Sequence, residues 1–183
     1  MLLEKVDIPE GKRGPWTVEK FEIPNNALIL FQYGHRAPRP GTYTRLLCGQ
    51  HCVMSDTDAE MRDHYGAVVH AKGHILLNGL GIGMVLKGCL AKSEVAKATV
   101  IEIDPDVIAL VGPHYTDRRV EIIQADAYAY QPPKGLRYGM VWHDIWSDIC
   151  SDNLEGMKKL HRKYGRRADW QGSWARYECE RGR

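Results

Sequence analysis

The chain of 183 residues contains two phenylalanines, five scattered cysteines and no long apolar run. The longest charge-free hydrophobic stretch lies between Lys72 and Lys87. It is rich in glycine and shorter than the ~20 apolar residues a membrane helix requires. The start, Met-Leu-Leu-Glu-Lys-Val-Asp, has no apolar core of a secretory leader, so the expectation is a soluble, cytoplasmic protein without a membrane partner. Cys48, Cys52, Cys89, Cys150 and Cys179 are odd in number and irregular in spacing, which argues against a disulfide framework. Cys48, His51 and Cys52 come nearest to a metal-ligand set. Without a CxxC or a second Cys/His pair at ligand spacing, no metal is expected there. A large charge of either sign is also missing. Lys plus Arg number 25 against 23 Asp plus Glu, which excludes a broadly polybasic protein but leaves room for a local basic patch.

What is present is globular: 44% of residues are apolar, enough for one core, and at roughly 150 residues per domain the length fits one domain with a small appendage. Residues 1–45 are rich in Pro and Gly around one apolar run, Ala27-Leu28-Ile29-Leu30-Phe31, which reads as a strand. Tyr43-Thr44-Arg45-Leu46-Leu47-Cys48, closed by Gly49, reads as another, so residues 1–70 are expected to form a β-hairpin lobe and a connecting helix. That helix is predicted over 56–69, capped by Asp56, with Met61, Tyr65, Val68 and Val69 on one face. From residue 73 strand-like and helix-like runs alternate. Strands are predicted at 75–77, 98–103, 120–123 and 138–142, and helices at 83–92 and from Pro105 to about Val111. This alternation predicts an α/β core over 71–183 with a parallel sheet covered on both faces. The final stretch predicts one or two helices. Leu154, Met157 and Leu160 lie on one face, Gly165 ends the first helix, and Trp170, Trp174 and Tyr177 form an aromatic stripe at i, i+4, i+7.

The segment Asn78-Gly79-Leu80-Gly81-Ile82-Gly83 follows the first core strand and opens a helix, the position where an α/β sheet binds ligands. Glycine lets the backbone approach a ligand closely, and the helix start offers free N–H groups. Glu102 lies nineteen residues past Gly83 at the end of the next strand, where a carboxylate can accept hydrogen bonds from both hydroxyls of a ribose. The third strand ends in Gln124-Ala125-Asp126-Ala127, a carboxylate beside a main-chain N–H that can read the amino edge of adenine. Glycine turn, ribose acid and adenine acid in this order predict a nucleoside-binding site. Spacing alone does not choose between NAD and S-adenosylmethionine.

Val100-Ile101-Glu102-Ile103-Asp104-Pro105-Asp106-Val107-Ile108 resembles the second-strand motif of the spermidine-synthase-like branch of class I S-adenosylmethionine-dependent methyltransferases. Residues 117–127, Asp-Arg-Arg-Val-Glu-Ile-Ile-Gln-Ala-Asp-Ala, resemble the next motif of that branch, and Tyr138-Gly139-Met140-Val141-Trp142-His143-Asp144 its fourth strand. Leu46-Leu47-Cys48-Gly49 and the acidic segment at Asp56 and Asp58 are similar to the hairpin lobe that precedes this Rossmann-like core. The resemblance implies S-adenosylmethionine as cofactor. Gly79, Gly81 and Gly83 would line its methionine and ribose, Glu102 would hold the ribose hydroxyls, and Ile103 would pack on adenine. Asp126 would meet the adenine amino group and the Ala127 N–H a ring nitrogen. Asp144 would face the reacting centre.

The chain departs from the polyamine-forming members at several points. Ile82 stands where they carry an aspartate in the glycine loop, Cys52 (with Gln50 close by) where they carry a glutamine after the hairpin glycine, and Asp144-Ile145 where they have Asp-Pro; they also continue for a further strand pair. The resemblance therefore favours methyl transfer over aminopropyl transfer. The absence of an Asn/Asp-Pro-Pro-aromatic tetrapeptide after the fourth strand argues, by the same resemblance, against amino-methylation of nucleic-acid bases. Asp144 or His143 is the expected proton acceptor or orienting group, with the alternatives that Asp144 caps a helix and His143 is packed. Trp142 and Trp146 shape either an acceptor pocket or the core. In the tail, 158–183, nine Lys/Arg stand against three acids with aromatics interleaved, which allows nucleic-acid contact or one solvated helix face. The reading is a methyltransferase with an unidentified acceptor. An aminopropyltransferase and a non-catalytic nucleoside- or nucleic-acid-binding module of the same fold stand as alternatives.

Overall fold

The computed structural model describes residues 3–25 and 37–182; the strand expected at 27–31 lies outside them. In chain order the elements are β1 (Gly11–Arg13), β2 (Trp16–Ile23), β3 (Gly41–Cys48), β4 (His51–Ser55), α1 (Asp58–His70), β5 (Gly73–Asn78), α2 (Met84–Leu90), β6 (Val95–Glu102), α3 (Pro105–Val111), β7 (Val120–Gln124), β8 (Met140–His143), α4 (Asn153–Tyr164), β9 (Gln171–Ser173) and α5 (Arg176–Arg181). β1 to β4 form an antiparallel sheet in sequential order, larger than the hairpin expected. The remaining strands form a parallel sheet in the order β7-β6-β5-β8-β9. The chain thus builds outward from β5 on one side, then crosses to the other, leaving a crevice at the carboxyl ends of β5 and β8.

β5 is central because Ile75, Leu76 and Leu77 are apolar without a break, as a strand covered on both faces must be. Alternate side chains enter different cores. Ile75 and Leu77 join Leu86, Val100 and Val68 in one cluster, which continues into Val18, Leu46 and Met54 of the antiparallel sheet and into Leu3, Val6 and Ile8 ahead of it. Leu76 faces the opposite cluster with Ile101, Val141, Leu160 and Tyr164.

Two expectations are corrected by packing. The aromatic positions 170, 174 and 177 do not share a helix. Gln171, Gly172 and Ser173 pair parallel with Val141, Trp142 and His143 as β9. Trp170 stacks on His70 and on Trp142, Trp174 is buried, and Tyr177 is 63% exposed. A side chain at Gly172 would collide with the rings of Trp142 and Trp170, so glycine is what lets this strand close on the sheet. A three-residue strand is too short to show an alternation, and the helical spacing of the aromatics is coincidental.

The second correction concerns α1. Its N-cap is Thr57, and its buried face carries Ala59, Met61, His64, Ala67 and Val68, while Tyr65 and Val69 are exposed. Asp56 is not a cap. It is fully buried, its Oδ1 accepting from Thr44 N–H (2.6 Å) and its Oδ2 from Val6 N–H (2.9 Å). One carboxylate thereby joins the N-terminal segment, β3 and the approach to α1. Asp56→Ala leaves two buried N–H groups without acceptors, and the expected loss in denaturant unfolding is on the order of 2–5 kcal/mol. A loss below about 0.5 kcal/mol, the usual surface value, would show that these contacts hold nothing together.

Candidate cofactor and acceptor site

At the carboxyl end of β5 the chain turns through glycines. Gly79 (φ +102°) donates its N–H to Ile101 O (2.8 Å), and a Cβ on it would occupy the position of the Asp144 main-chain oxygen. Gly81 (φ +52°) meets Met54 of β4 in the same way. Both line a cavity of about 650 Å³ between the two sheets. Gly83 does not line it. It is the N-cap of α2 and lies against the ring of Tyr115, whose hydroxyl donates to Ile82 O (2.7 Å). Ile82 is wholly buried in the main core.

Glu102, Ile103, Asp126 and Ala127 all reach the cavity. Glu102 is 9% exposed, and its two oxygens accept separate main-chain hydrogen bonds, Oε2 from Leu80 in the glycine loop and Oε1 from Asp104, each 2.9 Å. Asp104 caps α3, its Oδ1 accepting from Asp106 N–H and its Oδ2 from the Trp16 indole N–H (both 2.8 Å). Ile103 is 64% exposed, an apolar side chain left without cover at the cavity wall. Asp126 accepts from Tyr128 N–H (2.7 Å). The loop behind it is held by Lys163 of α4, whose Nζ donates to Ala127 O (3.1 Å) and Tyr128 O (2.9 Å).

The far end is built by α1 and the loop after β8: Glu60, His64, Asp144, Trp146 and Ser147, with Trp174. Asp144 N–H donates to Asn78 O (2.8 Å), which sets this residue beside the glycine loop. No helix starts here; the next, α4, begins at Asn153. The Asp144 carboxyl lies 3.7 Å from His64 Nε2, too long for a hydrogen bond. Among the described residues neither ring nitrogen of His64 has a hydrogen-bond partner, and neither does the buried Trp174 indole N–H. Burial holds the His64 imidazole down to about 3. Burial first, then Glu60, Asp63 and Glu102, push Asp144 well above the usual carboxylate range. Both groups are therefore driven toward neutrality, and the contact is not an ion pair.

His143 is not in the cavity. It is fully buried on the other side of β8, with Asn78 Nδ2 at 2.7 Å from its Nδ1 and Gln171 Oε1 at 3.4 Å from its Nε2. Burial, reinforced by His161, lowers it to about 3. Trp142 is core, edge-on to His64, whereas Trp146 is a cavity residue. Sequence reasoning missed Glu60 and His64. Their available signal was a polar pair at i, i+4 on a helix face that also carries Met61 and Val68. No group of three or more His, Cys, Asp and Glu among the described residues is arranged to hold a metal, and the five cysteines are free. Among the same residues no helix is long and apolar enough to cross a membrane.

His64 has a pH signature. The native state keeps it neutral down to about pH 3, while the unfolded chain protonates it near 6.5. Between those values acid favours unfolding, by about 1.4 kcal/mol per pH unit for one such group. Stability measured against pH is expected to fall less steeply in His64→Gln by that amount. An unchanged slope would contradict a buried neutral imidazole.

No protein-family model matches the chain, and no curated protein matches it in sequence. Solved structures do. Spermidine synthase from Thermotoga maritima aligns with a TM-score of 0.52 at 19% identity, covering 85% of this chain and 52% of that one. A spermidine synthase in complex with the transition-state analogue AdoDATO gives the same figures. The 23S rRNA methyltransferase ErmE aligns at 0.47 and 17% identity over 61% of this chain and 43% of its own, a likeness too slight to weigh. The chain spans about half the length of the spermidine synthases it matches. Identities this low bear on fold alone: over the part it spans, the chain has the fold of these spermidine synthases, a Rossmann-like methyltransferase fold with an antiparallel lobe.

Proposed function

We propose that the cavity binds S-adenosylmethionine and that the protein transfers its methyl group to an acceptor admitted beside Asp144. One observation carries this reading: a single cavity is lined by Asp126, Ile103 and Glu102 at the strand ends together with Gly79, Gly81 and Asp144. The residues present fit the cofactor. Glu102 already accepts one N–H on each oxygen and keeps lone pairs for ribose hydroxyls. Ile103 offers an uncovered apolar face to adenine, with Asp126 and the Ala127 N–H for its polar edge. Gly79 and Gly81 line the cavity where the methionine portion would lie. The His64 nitrogens and Trp174 N–H, unpartnered among the described residues, supply polar groups that a ligand or acceptor can satisfy.

The bound cofactor would supply an electrophilic methyl group. Asp144 would orient the acceptor and take its proton. His143, turned into the second core, is left out of this role. Ile82 points into the main core, so the glycine loop offers no carboxylate for a polyamine amine, and the aminopropyl reading is the weaker. We assign the basic tail to packing rather than to nucleic acid. Lys163 donates to the main-chain carbonyls of Ala127 and Tyr128, Arg167 to that of Pro133, and Lys159 and Arg176 pair within the tail's own helices with Glu155 and Glu180.

S-adenosylmethionine and S-adenosylhomocysteine are expected to raise the melting temperature, because a ligand of the native state stabilises it by mass action. Glu102→Ala is expected to weaken both by about 1–3 kcal/mol through lost charge-assisted hydrogen bonds. Its own unfolding curve separates that from loosening of the glycine loop. Absence of any shift at millimolar ligand would end this reading. Spermidine formed from putrescine and decarboxylated S-adenosylmethionine would replace it with aminopropyl transfer.

A further inference from the structure

Five carboxylates line the cavity, Glu60, Glu102, Asp104, Asp126 and Asp144, with no lysine or arginine among the described lining residues, in a chain whose net charge is +2. Four of the five are engaged by the protein. Glu60 accepts from the Ser55 N–H (3.0 Å) and hydroxyl (2.9 Å), and Glu102, Asp104 and Asp126 accept the main-chain and indole N–H groups described above. Asp144 differs. Its side chain is 17% exposed and lies 3.7 Å from His64 Nε2, beyond hydrogen-bond reach. Among the described residues, the titratable groups that act on it are Glu60, Asp63 and His64 on α1 and Glu102 at the end of β6, with no lysine or arginine among them. On its own loop Asp148 is turned to His51 of β4 (3.6 Å). A carboxylate so placed is relieved either by a proton or by an incoming positive charge.

The geometry points to Asp144 as the residue by which the cavity tells a cationic cofactor from its uncharged-sulfur product: it carries a proton in the empty cavity and releases it to solvent when a positive charge enters beside it. The inference rests on the S-adenosylmethionine reading and deepens it. In the release the carboxyl O–H bond breaks, its electron pair stays on the Asp144 oxygen and the proton passes to the buffer; the ligand undergoes no covalent change. S-adenosylmethionine and S-adenosylhomocysteine share the adenosine, ammonium and carboxylate groups and differ in the methyl group and its charge, so their difference isolates the effect. The site then holds an ionised base only when loaded. The proton lost on loading is the vacancy that the acceptor's proton later fills, and loss of the positive charge on methyl transfer leaves Asp144 protonated beside the product. The same coupling makes affinity for S-adenosylmethionine, relative to S-adenosylhomocysteine, rise with pH.

Titration calorimetry at pH 6.5 in phosphate and in Bis-Tris, buffers with different ionisation enthalpies, counts the protons exchanged on binding. More protons should leave with S-adenosylmethionine than with S-adenosylhomocysteine, the excess approaching one as the pH is lowered toward the range where free Asp144 is fully protonated. In Asp144→Asn, checked for folding by its melting curve, the difference should vanish. Equal proton counts for the two ligands in the wild-type protein, or a difference that persists in Asp144→Asn, would overturn the inference while leaving the cofactor reading intact. Failure of both ligands to bind would overturn the cofactor reading itself.

Discussion

The Glu102 carboxylate receives the N–H of Leu80 on one oxygen and the N–H of Asp104 on the other, and the site is arranged around that pair of bonds. They join the glycine loop at the end of β5 to the first turn of α3 at the end of β6. Asp104 extends the link by capping α3 and by taking the Trp16 indole N–H from the antiparallel sheet. A charged acceptor with two main-chain donors is among the stronger hydrogen-bonding arrangements a protein makes. Here it fixes the backbone of two loops and one lobe relative to each other. The positions of Gly79, Gly81 and Ile103 around the cavity follow from it.

The opposite end of the cavity is organised by the reverse principle. Around Glu102 polar groups are satisfied. At the Asp144 end, His64 and the Trp174 indole N–H are buried without hydrogen-bond partners among the described residues, and the Asp144 carboxyl stands 3.7 Å from His64. Leaving buried polar groups unpaired costs stability, and such a cost concentrates where a ligand supplies the missing partners. Rigid cradle and under-satisfied floor meet at Gly79, which abuts the main-chain oxygen of Asp144. The antiparallel sheet closes the cavity from above through Leu46, Val53, Met54 and His51, and its apolar face is continuous with the main core.

How much of this was legible in the sequence depended on length and on direction. β5, β6, β7 and β8 could be read because each is an apolar run ended by a breaker or an acid, and Glu102 and Asp126 were found as the acids that follow such runs. β9 could not, since three residues carry no period. Asp56 looked like a helix cap because it precedes a helix; only the fold brings Val6 and Thr44 to it. His143 and Asp144 are neighbours, yet one enters the second core and the other the cavity. Successive side chains leave a strand on opposite sides, and the sequence does not state which side faces the cavity. Gly83 satisfied the glycine pattern but answers to the Tyr115 ring. His64 and Glu60 were hidden because a helix face reads as scaffold until the strand it packs against is known.

The central claim is that the strand-end carboxylates and the glycine loop form one nucleoside site. It is tested most directly by following main-chain amide resonances while S-adenosylhomocysteine is titrated into isotope-labelled protein. The account expects the largest shifts at Leu80, Asp104 and Ala127, the N–H groups that touch Glu102 or flank Asp126, with Asp144 moving in the same saturation curve. Shifts confined to α4 and α5, with those four amides unmoved at saturation, would contradict it.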